Sequence, residues 1–250
     1  MPTRRHVIIG IAAMPIALSA AAAFAQAVSG DTLATSAGDV IIHPVAHASL
    51  ALINGAHVIY ADPAKESFAG LPAPTGILIT HAHGDHFDPD SLLKLAGSAQ
   101  IVTTEEVMGK MPDALKGQTR VLKNGESGTL DGLPVMAIGA YNTSPDRAKY
   151  HPKGAGNGYV VSFGDKKIYI AGDTEETPDM DALTGIDIAF LPMNLPYTMT
   201  EEQAAAAVKA FRPKIVYPYH YRGSDTQKFK GLVGAAAEVR LLDWYKNAAA

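Results

Sequence analysis

Between residues 39 and 219 the chain alternates between short apolar runs and brief breaks rich in glycine, proline and aspartate. Val40-Ile41-Ile42, Ala48 to Ile53 and His57 to Tyr60 read as strands, being β-branched or aromatic, too short for helices and bounded by turn residues. Asn54-Gly55, between the second and third, predicts a hairpin with a primed two-residue turn. Ile77 to Thr80 is a further buried strand, and it runs straight into His81-Ala82-His83-Gly84-Asp85-His86, with Gly84 where the backbone must turn tightly. Asp88-Pro89-Asp90-Ser91 then caps a helix through Leu92, Leu93 and Leu95 to Gly97. Ile101 to Thr103 reads as a strand, Glu105 to Lys110 as a short helix, and Val121-Leu122 with Gly125, Gly128 and Gly132 as antiparallel hairpins.

The second half repeats this logic. Leu133 to Tyr141 is apolar and ends at Asn142, Lys166 to Ala171 ends at Gly172-Asp173-Thr174, and Lys214 to Tyr219 ends at His220. Ile186 to Met193 is a buried strand with no candidate ligand at its end. Thr200-Glu201-Glu202-Gln203 is a capping box opening an alanine-rich helix to Phe211, stopped by Pro213, and beyond Tyr245 the tail reads as frayed. Strands and helices alternate with hairpins between them and no solenoid period, which defines an α/β chain. Polar, chemistry-bearing residues gather at strand ends, the arrangement of an α/β sandwich with its site on one rim.

With 250 residues and 47% apolar composition the chain can bury a substantial core. Residues 1–25 stand apart: Arg4-Arg5, an apolar run from Val7 to Phe24 and Ala23-Phe24-Ala25 before Gln26 predict a signal peptide of the twin-arginine type. Residues 26–250 are then a single domain, exported to the periplasm or secreted, with no stable membrane insertion once the signal is cleaved. Losing two arginines leaves 19 basic against 25 acidic residues, a formal charge of −6, and no basic stripe, which argues against nucleic acid as a partner. There is no cysteine, so thiolate is excluded both as nucleophile and as metal ligand.

Three histidines and an aspartate within six residues of a strand end make a compact imidazole and carboxylate set suited to zinc or a similar divalent metal. The pattern His81-x-His83-x-Asp85-His86 resembles the signature of the metallo-β-lactamase-fold hydrolases. His47-Ala48-Ser49 and Asp62-Pro63 are similar to the motifs that precede it, Gly172-Asp173-Thr174 to the motif of a bridging aspartate, and Pro218-Tyr219-His220-Tyr221 to the final histidine motif. The resemblance implies a four-layer αββα sandwich. It also implies one metal on His81, His83 and a further histidine, another on Asp85, His86 and His220, and Asp173 between them. Where many members carry that further histidine at a strand end, this chain has Ala140-Tyr141-Asn142. Tyr150-His151-Pro152-Lys153 follows, a segment similar to a subgroup akin to the ascorbate-phosphate lactonase-like enzymes, and it makes His151 the candidate. Asp62 is expected behind the ligands, steadying a histidine ring, whereas His43 and His57 read as ordinary, partly buried histidines.

The implied activity is that of an exported hydrolase with two zinc ions, or another divalent metal, holding a hydroxide that attacks a small ester, lactone or phosphoester, with Asp85 and Asp173 as catalytic carboxylates. The alternative is an exported metal-binding protein with little catalysis, suggested by Asn142. An iron oxidoreductase on the same fold is disfavoured, since no cysteine accompanies the site. Tyr141, Tyr150, Tyr197, Tyr219, Tyr221, Lys153 and Arg222 adjoin the motifs and are candidates for contact with a small-molecule substrate.

Overall fold

The computed structural model describes residues 28, 30–65 and 68–246; the predicted signal peptide, residues 1–25, lies outside the described residues. Among the described residues two seven-stranded sheets stack face to face. The first follows chain order: β1 (Asp31–Leu33), β2 (Val40–Ala46), β3 (Ser49–Asn54), β4 (His57–Ala61), β5 (Gly76–Leu78), β6 (Gln100–Thr103) and β7 (Thr119–Val121). β1 to β4 are antiparallel, and from β4 onward the pairing is parallel. The second sheet repeats the plan with β8 (Ser127–Leu130), β9 (Leu133–Ala140), β10 (Gly156–Phe163), β11 (Lys166–Ile170), β12 (Ile188–Pro192), β13 (Ile215–Tyr219) and β14 (Glu238–Val239). It is antiparallel up to β11 and parallel beyond.

Strand periodicity sorts the side chains into layers. Leu50 and Leu52 of β3, Ile59 of β4 and Leu78 of β5 face Tyr159, Val161, Ile168, Ile170, Ile188 and Phe190 of the second sheet, forming the central core. Ala51, Ile53, Ile77 and Ile101 point the other way, under Leu92 of α1 (Pro89–Leu95), Val107 of α2 (Glu105–Lys110) and Leu115 of α3 (Asp113–Lys116). On the opposite side Tyr169, Ala189, Leu191 and Val216 are covered by Met180 of α4 (Pro178–Asp181), Ala204 and Val208 of α5 (Glu201–Phe211), and Phe229 of α6 (Thr226–Val233). The result is the four-layer αββα sandwich. Burial on both faces explains why the strands read as unbroken apolar runs.

The capping signals act as written: Asp88 accepts from Ser91 N ahead of α1, and Thr200 and Gln203 form the capping box of α5. Other details differ. Asn54 pairs with His57, so the turn residues are Gly55-Ala56, and the Asn54 amide bonds instead to Ala37 O and Asp39 O, 3.3 and 3.0 Å away. Gly125 lies in no hairpin: β7 pairs in parallel with β6, and the chain then crosses to the second sheet, where the Asp131-Gly132 turn joins β8 to β9. β10 is hidden from pattern reading by Gly156-Asn157-Gly158, yet Gly158 is needed there, since a Cβ would lie 2.7 Å from Ala171 O. Near the C-terminus Trp244 is buried against Phe190, Tyr217 and Tyr219.

This topology positions the site. β2, β4 and β5 share one direction in the first sheet, as do β9, β11, β12 and β13 in the second, so their carboxyl ends bring residues to a common rim.

Candidate metal centre

Beyond Leu78 the chain leaves the β5 ladder because Thr80 turns to Asp62: its N–H and its hydroxyl each donate to that carboxylate at 2.7 Å. The N–H groups of His86 and Phe87 then both donate to His83 O, at 3.0 and 2.8 Å, closing a tight turn. That turn aims His81, His83, Asp85 and His86 at one point. The second sheet supplies Asp173 after β11, His220 after β13 and His151 from the loop between β9 and β10. Gly172 ahead of Asp173 has φ 66°, and a Cβ there would lie 2.9 Å from Asn157 O. His220 is itself left-handed, at φ 48°.

All seven residues singled out in the sequence therefore meet. His81 Nε2 lies 3.0 Å from His83 Nδ1, and His151 completes a trio with them. Asp173 faces both halves of the cluster: Oδ2 is 3.3 Å from His151 Nε2 and 3.5 Å from His220 Nε2, while Oδ1 is 3.4 Å from His86 Nε2. His220 Nε2 is also 3.3 Å from Asp85 Oδ2. A zinc ion with ligands at about 2.0–2.1 Å in a tetrahedron separates them by about 3.3–3.4 Å, so these spacings fit ligand atoms around a divalent ion. His86 Nε2, His151 Nε2 and Asp173 Oδ1 are buried and have no hydrogen-bond partner, which would be costly for polar atoms not serving a ligand. The donor set thus fits divalent metal.

The atoms behind the cluster set the ring orientations. Asp62, wholly buried, also accepts from His86 Nδ1 at 2.7 Å, which turns Nε2 toward Asp173. Thr80 Oγ1 lies 3.0 Å from His81 Nδ1, and Tyr197 O lies 3.1 Å from His151 Nδ1. The Asn142 amide nitrogen donates to Tyr197 O at 2.6 Å and Arg147 O at 3.0 Å, and so backs His151 from behind. His57 lies elsewhere, bonded to Asp131 at 2.8 Å.

Burial opposes ionisation of Asp173, but the adjacent His220 and His86 hold its carboxyl well below the ordinary carboxylate range. Partial burial likewise opposes ionisation of Asp85, and hydrogen bonds from His220 and His47 overcome it. For His86, burial disfavours the cation, yet Asp173 and Asp62 together raise its pKa well above the usual histidine value. His81 moves the other way, lowered well below that value by burial and by His86.

His47 is the residue that reading the sequence for ligands missed. It turns at φ 50° after β2, with Nε2 3.2 Å from Asp85 Oδ2 and Nδ1 3.0 Å from the Tyr245 hydroxyl. With Asp85 and His220 it makes a second trio of potential ligand atoms. The available signal was directional: a strand two hairpins before Asp62 must end on the same rim. Over the cluster opens a cleft of about 540 Å³, walled by Tyr150, Asn194, Tyr197 and Arg222.

A family model described as a beta-lactamase superfamily domain matches residues 42–220. The metallo-β-lactamase fold protein YhfI from Bacillus subtilis superposes with a TM-score of 0.62, covering 79% of this chain and 89% of that one at 14% identity, which speaks for the fold alone. Fold, rim cluster and family match together define the class, a metal-dependent enzyme of the metallo-β-lactamase fold. The UPF0173 metal-dependent hydrolase of Pyrococcus abyssi is 36% identical over 176 residues, which are 66% of this chain and 77% of that protein. The crystal structure of a candidate metal-dependent hydrolase from Parabacteroides distasonis ATCC 8503 is 40% identical, with a TM-score of 0.79, and is covered to 97% by 85% of this chain. The chain therefore belongs to the UPF0173 metal-dependent hydrolases within the beta-lactamase superfamily.

Proposed function

We propose that the chain is an exported hydrolase holding two zinc ions, and that it cleaves a small ester, lactone or phosphoester, as the lactonase-like resemblance of its His151-Pro152-Lys153 segment suggests. His81, His83 and His151 would hold one ion and Asp85, His86 and His220 the other, with Asp173 facing both groups. His47 belongs with Asp85 and His220. The observation that carries this reading is the Asp173 carboxylate, whose two oxygens lie 3.3–3.5 Å from histidine nitrogens of both halves.

When bound, such ions lower the pKa of water to about 7 and polarise a carbonyl or phosphoryl oxygen. The protein's own part is to keep the donors in the right protonation state and to orient the water. Asp62 and the Tyr197 carbonyl hold protons on the Nδ1 atoms of His86 and His151, freeing each Nε2 to ligate. Asp85 is 47% exposed at the mouth of the cleft and stays ionised under the influence of His220 and His47, so it would orient the attacking water by accepting its hydrogen bond. Asn142, which favoured a metal carrier without catalysis, loses that weight because it supports His151 rather than replacing it.

The test is elemental analysis of the purified mature protein beside His151→Ala and Asn142→Ala. Two zincs per chain should fall to about one in His151→Ala, while Asn142→Ala weakens affinity and keeps the stoichiometry. Hydrolysis of a lactone and phosphodiester panel should vanish with chelator and return with zinc. One metal in both wild type and His151→Ala would overturn the ligand assignment.

A further inference from the structure

Arg222 stands two residues beyond His220 and lines the same cleft. Arg147 and Arg240 are committed to Glu175 and Glu238, at 2.8 and 2.7 Å, whereas Arg222 has no ion-pair partner among the described residues. It is nonetheless held: its guanidinium carbon lies 5.6 Å from the centroid of the Tyr245 ring, and the Tyr245 hydroxyl is 3.0 Å from His47. One tyrosine thus fixes both an uncompensated cation and a histidine of the cluster.

The remaining charges around the mouth point the same way. Lys149, which lines an adjoining pocket together with His83, Tyr150 and His151, lies 5.0 Å from the Tyr150 ring and has no carboxylate partner among the described residues. Glu106, in the same adjoining pocket as Lys149, is paired with Lys110 at 2.8 Å. Inside the cleft the two acids, Asp85 and Asp173, face histidines. A chain with a formal charge of −4 therefore sets two unpaired cations, Arg222 and Lys149, beside the cluster, an arrangement that draws in anions. Beside His151 the wall is aromatic: Tyr150 and Tyr197 meet edge to face at 5.0 Å.

The geometry points to a small substrate carrying a second anionic group, carboxylate or phosphate, which Arg222 grips one subsite away from the scissile bond while Tyr150 and Tyr197 flank the His151 half. This rests on the hydrolytic reading above and names the substrate class for the same site. An arginine suits such a group because its planar fork makes two parallel bonds to an oxyanion.

Calorimetric titration of the zinc-loaded enzyme with butyrate, succinate and 3-phosphonopropionate tests the anchor without turnover. The carboxylate common to the probes would take the metal end, and only succinate and 3-phosphonopropionate carry a second anion for Arg222. Succinate should bind about tenfold more tightly than butyrate, the scale of one charge-assisted contact. In Arg222→Met that ratio should fall to about one, and Arg222→Lys should keep part of it. A phosphonate binding more tightly than succinate identifies phosphate as the group, and the reverse order identifies carboxylate. In parallel, a δ-lactone bearing a carboxylate should show a lower KM than the unsubstituted lactone, a difference lost in Arg222→Met. A ratio near one in the wild type, or one unchanged in Arg222→Met, overturns the anchor. Lactone turnover without anion preference would sink the anchor and leave the hydrolase standing; anion preference without any lactone, ester or phosphoester turnover would do the opposite.

Discussion

Replacing Asp62 by Asn changes one atom's chemistry and almost no volume, which makes it a sharp probe of how the cluster is held. The carboxylate accepts from Thr80 N, Thr80 Oγ1 and His86 Nδ1, each at 2.7 Å, and is wholly buried. An amide has one oxygen. If that oxygen keeps Thr80 N, the amide nitrogen faces the other two groups; the threonine hydroxyl can rotate to accept, but His86 Nδ1–H then has no acceptor. The imidazole can escape only by moving its proton to Nε2, the atom aimed at Asp173. Loss of such a partner behind a ligand typically weakens metal affinity by about 10–100-fold, or roughly 1.4–2.7 kcal/mol. Without metal, one charge-assisted bond is lost, about 1.5–3 kcal/mol, a drop in Tm of about 3–12 °C for a chain of this size. The sign of the pH dependence follows from His86, whose pKa burial lowers but Asp173 and Asp62 raise overall. A raised histidine contributes its stability fully below its unfolded value, about 6.5, and loses it as pH rises through the folded value. The metal-free deficit of Asp62→Asn is therefore widest in mild acid and narrows toward alkaline pH. Competition with a chromophoric chelator measures the affinity, and circular dichroism melts over a pH series measure the stability. Wild-type affinity together with wild-type melting in Asp62→Asn would refute the argument that Asp62 fixes the His86 tautomer.

Two further outcomes are expected. Glu175 is buried and accepts from Thr143 N at 2.7 Å, Ser144 N at 2.6 Å and Arg147 at 2.8 Å, bracing the loop that carries His151, so Glu175→Gln should weaken binding of one metal and leave the second. Burial opposes ionisation of Glu175 but the Ser144 bonds lower its pKa, so the stability it adds is present above about pH 4.5 and fades as pH falls through the depressed value; melts of wild type and Glu175→Gln should converge in acid. Changing Arg4 and Arg5 to Lys should trap the precursor inside the cell, scored by fractionation and immunoblotting; undiminished export would remove the twin-arginine reading.

Legibility differed between the two halves of the molecule for a physical reason. Four of the cluster residues, His81, His83, Asp85 and His86, come from one turn, so their convergence is written in local spacing. The second sheet contributes Asp173, His220 and His151 singly, from separate chain excursions, and nothing local distinguishes such a histidine from one on a surface loop. Strand ends were the useful guide, since a parallel or twice-reversed strand must finish on the same rim. The guide failed where a supporting residue holds the strand-end position. Asn142 lies two residues beyond the end of β9, yet it spends its amide on the carbonyls of Tyr197 and Arg147 while His151, nine positions on, reaches the cluster.

His47 extends the same argument. Read alone, it is a histidine in an apolar hairpin; read with topology, it ends β2, which runs parallel to β4 through two antiparallel reversals, and so must share the rim with Asp62. What local sequence does not carry is the partner that makes it useful. Tyr245 lies 198 positions away, brought to His47 because Trp244 beside it is buried between the sheets. The far C-terminal segment therefore acts on the first strands through packing: the indole supplies the burial that docks the segment, and the adjacent phenol delivers a hydroxyl to His47 and a ring face to Arg222. A cluster that draws four residues from one turn and its orientation from such remote contacts is half visible in the sequence, since local spacing encodes those four while only the folded core brings the others and their supports together.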